Sequence, residues 1–192
     1  MTTLTPESSP TVTELMAAER RTAADSLIKN YVLAATGLGF LPFPLVDLGG
    51  LMAIQVKLVH GLAKHYGLPF KENVGKSLVT SLIAGASGVV GVLGLASLAK
   101  LVPGLGTLAG GASVSLTSGA LTYAVGHVFA KHFETGGTLL DFDPKKMQEA
   151  FKRKVHEGRR AVAQMVDAPA AEAAPTQNVS AEEGGQAAPA AG

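Results

Sequence analysis

Apolar and polar positions alternate along this chain with helical, not strand, periodicity, and they divide it into a few long segments. A first helix is expected to begin after Thr13, with Glu14 in its first turn, and to run from Leu15 to Gly37. Its first half is polar and its second half apolar. The string Gly37-Leu38-Gly39-Phe40-Leu41-Pro42-Phe43-Pro44 must interrupt it, because two prolines at i, i+2 cannot both lie inside a regular helix. Pro44 suits the first position of a second helix, which continues to about Tyr66 and stops at Gly67-Leu68-Pro69.

The longest apolar pattern covers residues 77–130. Ser77–Ala99 is a run of 23 residues without a charge, and Leu101–Ala130 adds 30 more, with Lys100 alone between them. About 20 apolar residues cross a hydrocarbon core of about 30 Å, so each run is long enough to span. Pro103, Gly104 and Gly106 supply a tight turn at the break. Two long apolar helices joined this way form an antiparallel hairpin. Small residues recur along both arms: Ser77, Ser81, Ala84, Gly88 and Gly91 in the first, and Thr107, Gly111, Ser115 and Gly119 at successive i+4 steps in the second. In lipid such ridges let helix backbones approach closely, which makes them candidate packing faces.

A last helix is expected to start at Asp143-Pro144, an N-cap followed by a first-turn proline. Met147, Phe151, Val155, Val162 and Val166 mark one face. Lys145, Lys146, Lys152, Arg153, Lys154, Arg159 and Arg160 crowd the rest. Two readings fit this amphipathic pattern. The helix lies on an anionic membrane surface or docks on a partner, or it is a solvated helix packed on its own bundle.

Composition sharpens the picture. Of the 192 residues 47% are hydrophobic, yet only 5% are aromatic, there is no Trp, and 23 are Gly. Much of the apolar content is therefore small, as at membrane helix interfaces. Net charge is +1, which gives no sign of a nucleic-acid partner. The absence of Cys excludes disulfides and thiolate metal sites. The polar stretch Met1–Pro10 does not read as a signal peptide. Residues 1–12 and the Ala/Pro/Glu-rich residues 167–192 are expected to be disordered, leaving 13–166 as one helical, membrane-associated domain. Basic residues flank the open ends of the hairpin, whereas its tip carries only Lys100; the positive-inside rule then puts both ends in the cytoplasm of a bacterial inner membrane.

Little chemistry emerges. Asn73-Val74-Gly75-Lys76-Ser77 ends like a phosphate-binding loop, but Phe70 stands where the first glycine belongs and no strand precedes it. His60 with His65, and His127 with His132, are five residues apart, which puts the paired imidazoles on different helix faces. No carboxylate pair or Ser–His–Asp set is visible, so no enzyme and no cofactor are expected. Asp47 is the one acid within a long uncharged stretch. It is either a functional group at membrane depth or, counted from Pro44, a first-turn carboxylate that complements the helix dipole.

The run FLPFPLVDLGGLMAIQVKLVHGLAKHYG, a glycine-rich apolar arm, and then KLVPGLGTLAGGASVSLTSGALTYAVGHVFAKHFETGG together resemble a YcjF-type domain over about residues 20–140. This is a bacterial domain of unknown function, often found C-terminal to a GTPase domain. The resemblance rests on the Pro42/Pro44/Asp47 segment, His65-Tyr66-Gly67, the Pro103–Gly106 turn and Gly126. It implies a helical, membrane-associated protein, with any GTPase acting in trans. It supplies no catalytic residues. The expectation is an all-α protein built on a helical membrane hairpin, flanked by a Pro-broken helical pair and a C-terminal amphipathic helix. It would anchor or scaffold at a lipid membrane and self-associate as a homo-oligomer through its small-residue faces. The alternatives are a pore-forming or membrane-remodelling oligomer, and a soluble helical bundle that buries the hairpin.

Overall fold

The computed structural model describes the backbone of residues 11–38, 44–86 and 106–172, and the side chains of 11–38, 49–86 and 114–165. Among the described residues there are five helices and no strand: α1 (Val12–Leu38), α2 (Pro44–His65), α3 (Glu72–Ala84), α4 (Gly106–Glu134) and α5 (Pro144–Glu172). The all-α expectation holds. Pro42, Gly88, Gly91, Lys100, Pro103 and Gly104 lie outside the described residues, as do the lead and tail expected to be disordered, apart from their helix-forming ends.

Local signals set most boundaries. Thr11 and Glu14 form a reciprocal cap: the Glu14 amide donates to Thr11 Oγ1 at 3.3 Å, and the Thr11 amide donates to Glu14 Oε2 at 2.7 Å. α2 begins at Pro44, which places Asp47 in its first turn. It ends where Gly67 takes φ +70° and the Leu68 amide reaches back to the Ala63 carbonyl at 2.8 Å. Gly136, at φ +88°, closes α4 in the same way. Asp143 caps α5, accepting from the Lys145 and Lys146 amides at 3.0 and 3.4 Å; such a cap is worth about 1 kcal/mol. α5 runs to Glu172, beyond the boundary expected at 166.

The central element is α4. Between Val114 and Phe133 nearly every residue is buried or half-buried, because α1, α2 and α5 wrap it. Contacts fix the register. On α1, Ile28 meets Gly126 and Thr36 meets Gly119, so α1 runs antiparallel to α4. On α5, Gly158 meets Ala120 and Val162 meets Gly119, again antiparallel. Gln55 pairs with Thr122, and Tyr66 packs on Phe133 at 6.1 Å between ring centroids, so α2 runs parallel. α3 lies between α2 and α5, with Thr80 against Met52 and the Gln148 amide donating to the Leu82 carbonyl at 3.1 Å. The core is completed by Phe129 stacked on Phe142, 4.1 Å apart and 5° from parallel.

This arrangement leaves the expected membrane hairpin unconfirmed and interrupts its first arm. Among the described residues, no helix is long and apolar enough to cross a membrane. The first arm was expected as one helix over 77–99, but α3 stops at Ala84, with Gly85 as its C-cap. The second arm is apolar over 114–130 because protein surrounds it there, and its neighbours carry the charges on their outer faces: Arg20, Arg21 and Lys29 on α1, Lys57 and Lys64 on α2, and Lys152 and Arg160 on α5. A helix apolar all round is either a membrane span or a core helix, and α4 is a core helix over this length.

The register also sorts charge along the bundle. The C-terminal part of α1, the N-terminal parts of α2 and α4, and the C-terminal part of α5 gather at one end. Residues 30–38, 49–56, 106–130 and 161–166 of these helices carry no Asp, Glu, Lys or Arg, and Asp47 is the one charge on the described backbone of that end before Asp167. Leu33 stands 48% exposed there, and Ala34 and Ala53 are exposed as well. The opposite end holds most of the acids and bases.

Candidate functional site

The close approaches in the bundle are made by glycines. A Cβ at Gly119 would lie 2.9 Å from Val162 Cγ2 and closer still to Thr36 Oγ1, so this residue seats α4 between α1 and α5. Gly126 leaves room for Ile28, and Gly158 for the Ala120 carbonyl. Of the expected packing ridge on α4, Ser115 and Gly119 are thus buried inside the bundle. Gly106, Thr107 and Gly111 belong to the same helix, but their side-chain positions lie outside the described residues. On α3 the expected seam faces outward: Ser77, Ser81 and Ala84 are exposed, while Gly75, Val79 and Leu82 face the core.

The apolar face of α5 is engaged too. Phe151, Val155 and Val162 are buried and Met147 packs against the core, so this face meets α3 and α4 rather than a bilayer. The basic residues form its outer surface: Lys145, Lys146, Lys152, Arg153 and Arg160 are exposed, and Lys154 and Arg159 half-buried. Three are paired along the helix, Lys146 with Asp143 at 3.9 Å, Lys152 with Glu149 at 2.9 Å and Lys154 with Glu157 at 2.5 Å.

Gly75 and Lys76 sit inside α3, where the Gly75 amide donates to the Lys71 carbonyl at 2.9 Å and Phe70 covers the glycine. The Gly75 amide is thus committed within the helix, and the segment is a helix turn rather than the glycine loop that cradles a phosphate. The histidines go to separate partners: His60 stacks on Phe70 at 4.6 Å, and His65 Nε2 donates to the Arg20 carbonyl at 2.9 Å. His132 Nε2 donates to the Thr138 carbonyl at 2.9 Å, and His127 lies 3.8 Å from Asp25. Among the described residues no three His, Asp or Glu side chains gather as a metal site.

Sequence reasoning missed a polar pair in the core. Gln55 is fully buried and its Nε2 donates to Thr122 Oγ1 at 3.1 Å; that hydroxyl in turn donates to the Ser118 carbonyl at 2.9 Å. Gln55 Oε1 has no partner. Its signal was available: Gln55 is the one amide in the uncharged run Leu48–Val56. A buried unsatisfied carbonyl costs about 1–3 kcal/mol, and Thr122 keeps its Ser118 bond without the glutamine. Gln55→Met, close in volume, is therefore expected to raise the unfolding free energy by about 1 kcal/mol in chemical denaturation. A loss of stability would mean that Oε1 is satisfied in solution.

Two adjoining grooves of about 260 and 370 Å³ open on either side of His127, Lys131 and Lys154. Arg153 and Met147 line the first, and Arg21, Asp25, Tyr66 and Glu134 the second. Arg21 and Glu134 are ion-paired across the second groove, which holds the Glu134 carboxyl below its usual range. Burial pushes His127 below the ordinary imidazole range; Asp25 opposes that shift, Lys154 adds to it, and Glu157 opposes it. The sign of the consequence follows by linkage. Below the ordinary value of 6.5 the unfolded chain takes up a proton at His127 before the folded chain does, so stability falls as pH drops through that range and levels off below the folded value. His127→Gln is expected to remove this step from a stability–pH curve, leaving the lower loss in which Glu134 gives up its contribution below 4.5. An unchanged curve between pH 7 and 5 would refute the assignment.

No solved structure matches this chain. It is 37% identical over 147 residues to a protein named "Magnetosome membrane protein 22" from Magnetospirillum gryphiswaldense, a match covering 76% of this chain and 75% of that protein. The profile of the family Domain of unknown function (DUF697) covers residues 7–174. This agrees with the resemblance to a bacterial domain of unknown function read from the Pro42–Asp47 and Pro103–Gly106 segments, and the chain belongs to the DUF697 family.

Proposed function

We propose that this protein is a non-catalytic, membrane-associated anchoring or scaffolding protein of the bacterial inner membrane. The observation that carries the reading is the division of the bundle. Four helices bring uncharged segments to one end, with apolar Leu33 and Ala53 turned outward, and most charges lie toward the other. An uncharged end suits hydrocarbon, and a charged end suits the cytoplasmic surface. The name of the Magnetospirillum relative supports the same reading. Self-association would use the outward edge of Ser77, Ser81 and Ala84, which the bundle leaves uncovered. A GTPase acting in trans would approach the charged end.

A second reading has an observation of its own. The wrapping of α4 by α1, α2 and α5 favours a bundle that hides its apolar residues internally and binds no lipid. Separating cell lysate by ultracentrifugation without detergent distinguishes the two. The membrane reading requires the protein in the pellet, retained after a salt wash and released by detergent. Recovery in the supernatant would establish the second reading. Cross-linking with mass spectrometry in native membranes, read for this chain's own peptides and for a GTPase, tests the assembly part separately.

A further inference from the structure

The boundary between the two ends of the bundle is marked by cations. On each outer helix the last basic residue before the uncharged segment comes at nearly the same level of α4. Lys29 follows Ile28, which meets Gly126. Lys57 lies two residues beyond Gln55, which bonds Thr122. Arg159 and Arg160 follow Gly158, which meets Ala120 and Tyr123. These contacts span Ala120–Gly126 of α4, or about 9 Å at 1.5 Å per residue. Lys76 of α3 faces the same groove as Lys57, a space of about 450 Å³ that Glu72 also lines.

Lys29, Lys57, Lys76 and Arg160 are exposed, and none has an acidic partner within ion-pair distance among the described residues. Nε of Arg159 is buried without a hydrogen-bond partner. Toward the charged end Arg21, Lys131, Lys146, Lys152 and Lys154 are each held by a carboxylate, while among the described residues Arg20, Lys64, Lys71, Lys145 and Arg153 are not. It is their shared level on α4 that sets the first group apart.

We infer that these residues form a cationic collar that seats on anionic phospholipid headgroups, with the uncharged end entering a single leaflet. This rests on the membrane reading above and adds a depth, an orientation and a lipid class. The depth follows from helix length. From Lys29 to the end of α1 is about 14 Å, and from Ala120 back to the start of α4 about 21 Å. One leaflet of hydrocarbon is about 15 Å thick, half the full core of about 30 Å. The described helices thus reach through one leaflet and stop short of spanning. Asp47, about 15 Å beyond Lys57, and Asp167, about 10 Å beyond Arg160, are the charges that limit how deeply α2 and α5 enter. Cations at the headgroup level are attracted to an anionic surface and not comparably to a zwitterionic one.

The test exploits the absence of Trp and Cys, which makes any introduced tryptophan the sole indole emitter. The full chain with Leu33→Trp is mixed with vesicles of phosphatidylglycerol and phosphatidylcholine, some carrying bromine on the acyl chains. Its emission should shift to the blue and be quenched by the bromines, whereas Lys64→Trp, at the charged end, should be neither shifted nor quenched. Replacing Lys29, Lys57, Lys76 and Arg160 by Gln should weaken binding to these vesicles by roughly a hundredfold or more, and should flatten its dependence on salt. Circular dichroism of the variant checks that its helices are retained. If the Gln variant binds as tightly as the parent while Leu33→Trp is still quenched, the membrane reading stands and the collar is refuted. Quenching at Lys64 as strongly as at Leu33 overturns the single-leaflet depth. Failure of the parent to bind these vesicles overturns both.

Discussion

Gly119→Val will unfold or severely loosen this bundle, with a loss expected to exceed about 3 kcal/mol. The glycine sits where three helices meet. Its missing Cβ would fall 2.9 and 3.1 Å from the two methyls of Val162, and within clashing distance of Thr36 Oγ1. Thr36 cannot turn aside freely, because its hydroxyl donates to the Val32 carbonyl at 2.8 Å in a buried setting. The γ-carbons of valine add to a contact that already fails at Cβ. Relief requires α1 or α5 to move off α4, which opens the core around Ile28 and Phe151. The control is Gly49→Ala in α2, where nothing lies within 4 Å of the new methyl group. That change is expected to stabilise by up to about 1 kcal/mol, through helix propensity alone. Thermal and urea unfolding of the two variants should therefore move in opposite directions. If they move together, glycine content matters here through the unfolded chain and not through packing.

Phe129→Ala should cost about 3–5 kcal/mol. Phe129 is fully buried near the C-terminal end of α4, stacked on Phe142 and 5.8 Å from the ring of Phe133. Phe142 belongs to the segment joining α4 to α5, so losing Phe129 strips the partner that holds this connection to the core. The vacated space is bordered by the rings of Phe133 and Phe142, which are held by the helix and by the connection and collapse poorly into a void. Phe129→Leu keeps most of the volume and should recover more than half of the loss. A cost below about 1 kcal/mol in urea unfolding would show that this corner of the core is loosely packed.

The first effect depends on a residue type whose meaning changed between sequence and structure. Gly119 was legible as part of a small-residue ridge, and it does permit a close helix approach. Its partners, Thr36 and Val162, come from α1 and α5 rather than from the other arm of the hairpin. The i+4 spacing shows that a face is narrow, but it carries no information about which helix lies on it. Ser77, Ser81 and Ala84 have the same kind of spacing and point outward. The basic residues of α5 were legible as a face in the same sense. Phe151, Val155 and Val162 beneath them pack inside the bundle.

Helix boundaries were set locally, and the sequence by itself determined most of them. Pro44, Gly67 and the Asp143-Pro144 start act through bonds that reach only a few residues, so their positions can be read without the rest of the fold. By contrast, α1 starts at Val12 under a Thr11–Glu14 cap, two residues before the start expected after Thr13. The absence of charge over Leu101–Ala130 was equally plain. Its cause was not, because hydropathy measures how strongly a segment avoids water and says nothing of what replaces the water. Only the tertiary structure decided that protein fills this role around residues 114–133 of α4. Only the register of antiparallel and parallel helices brought residues 30–38, 49–56 and 161–166, far apart in the chain, to a common uncharged end. Lys29, Lys57 and Arg160 are unremarkable along the sequence, and they share a level because Ile28, Gln55 and Gly158 pack against neighbouring turns of one helix.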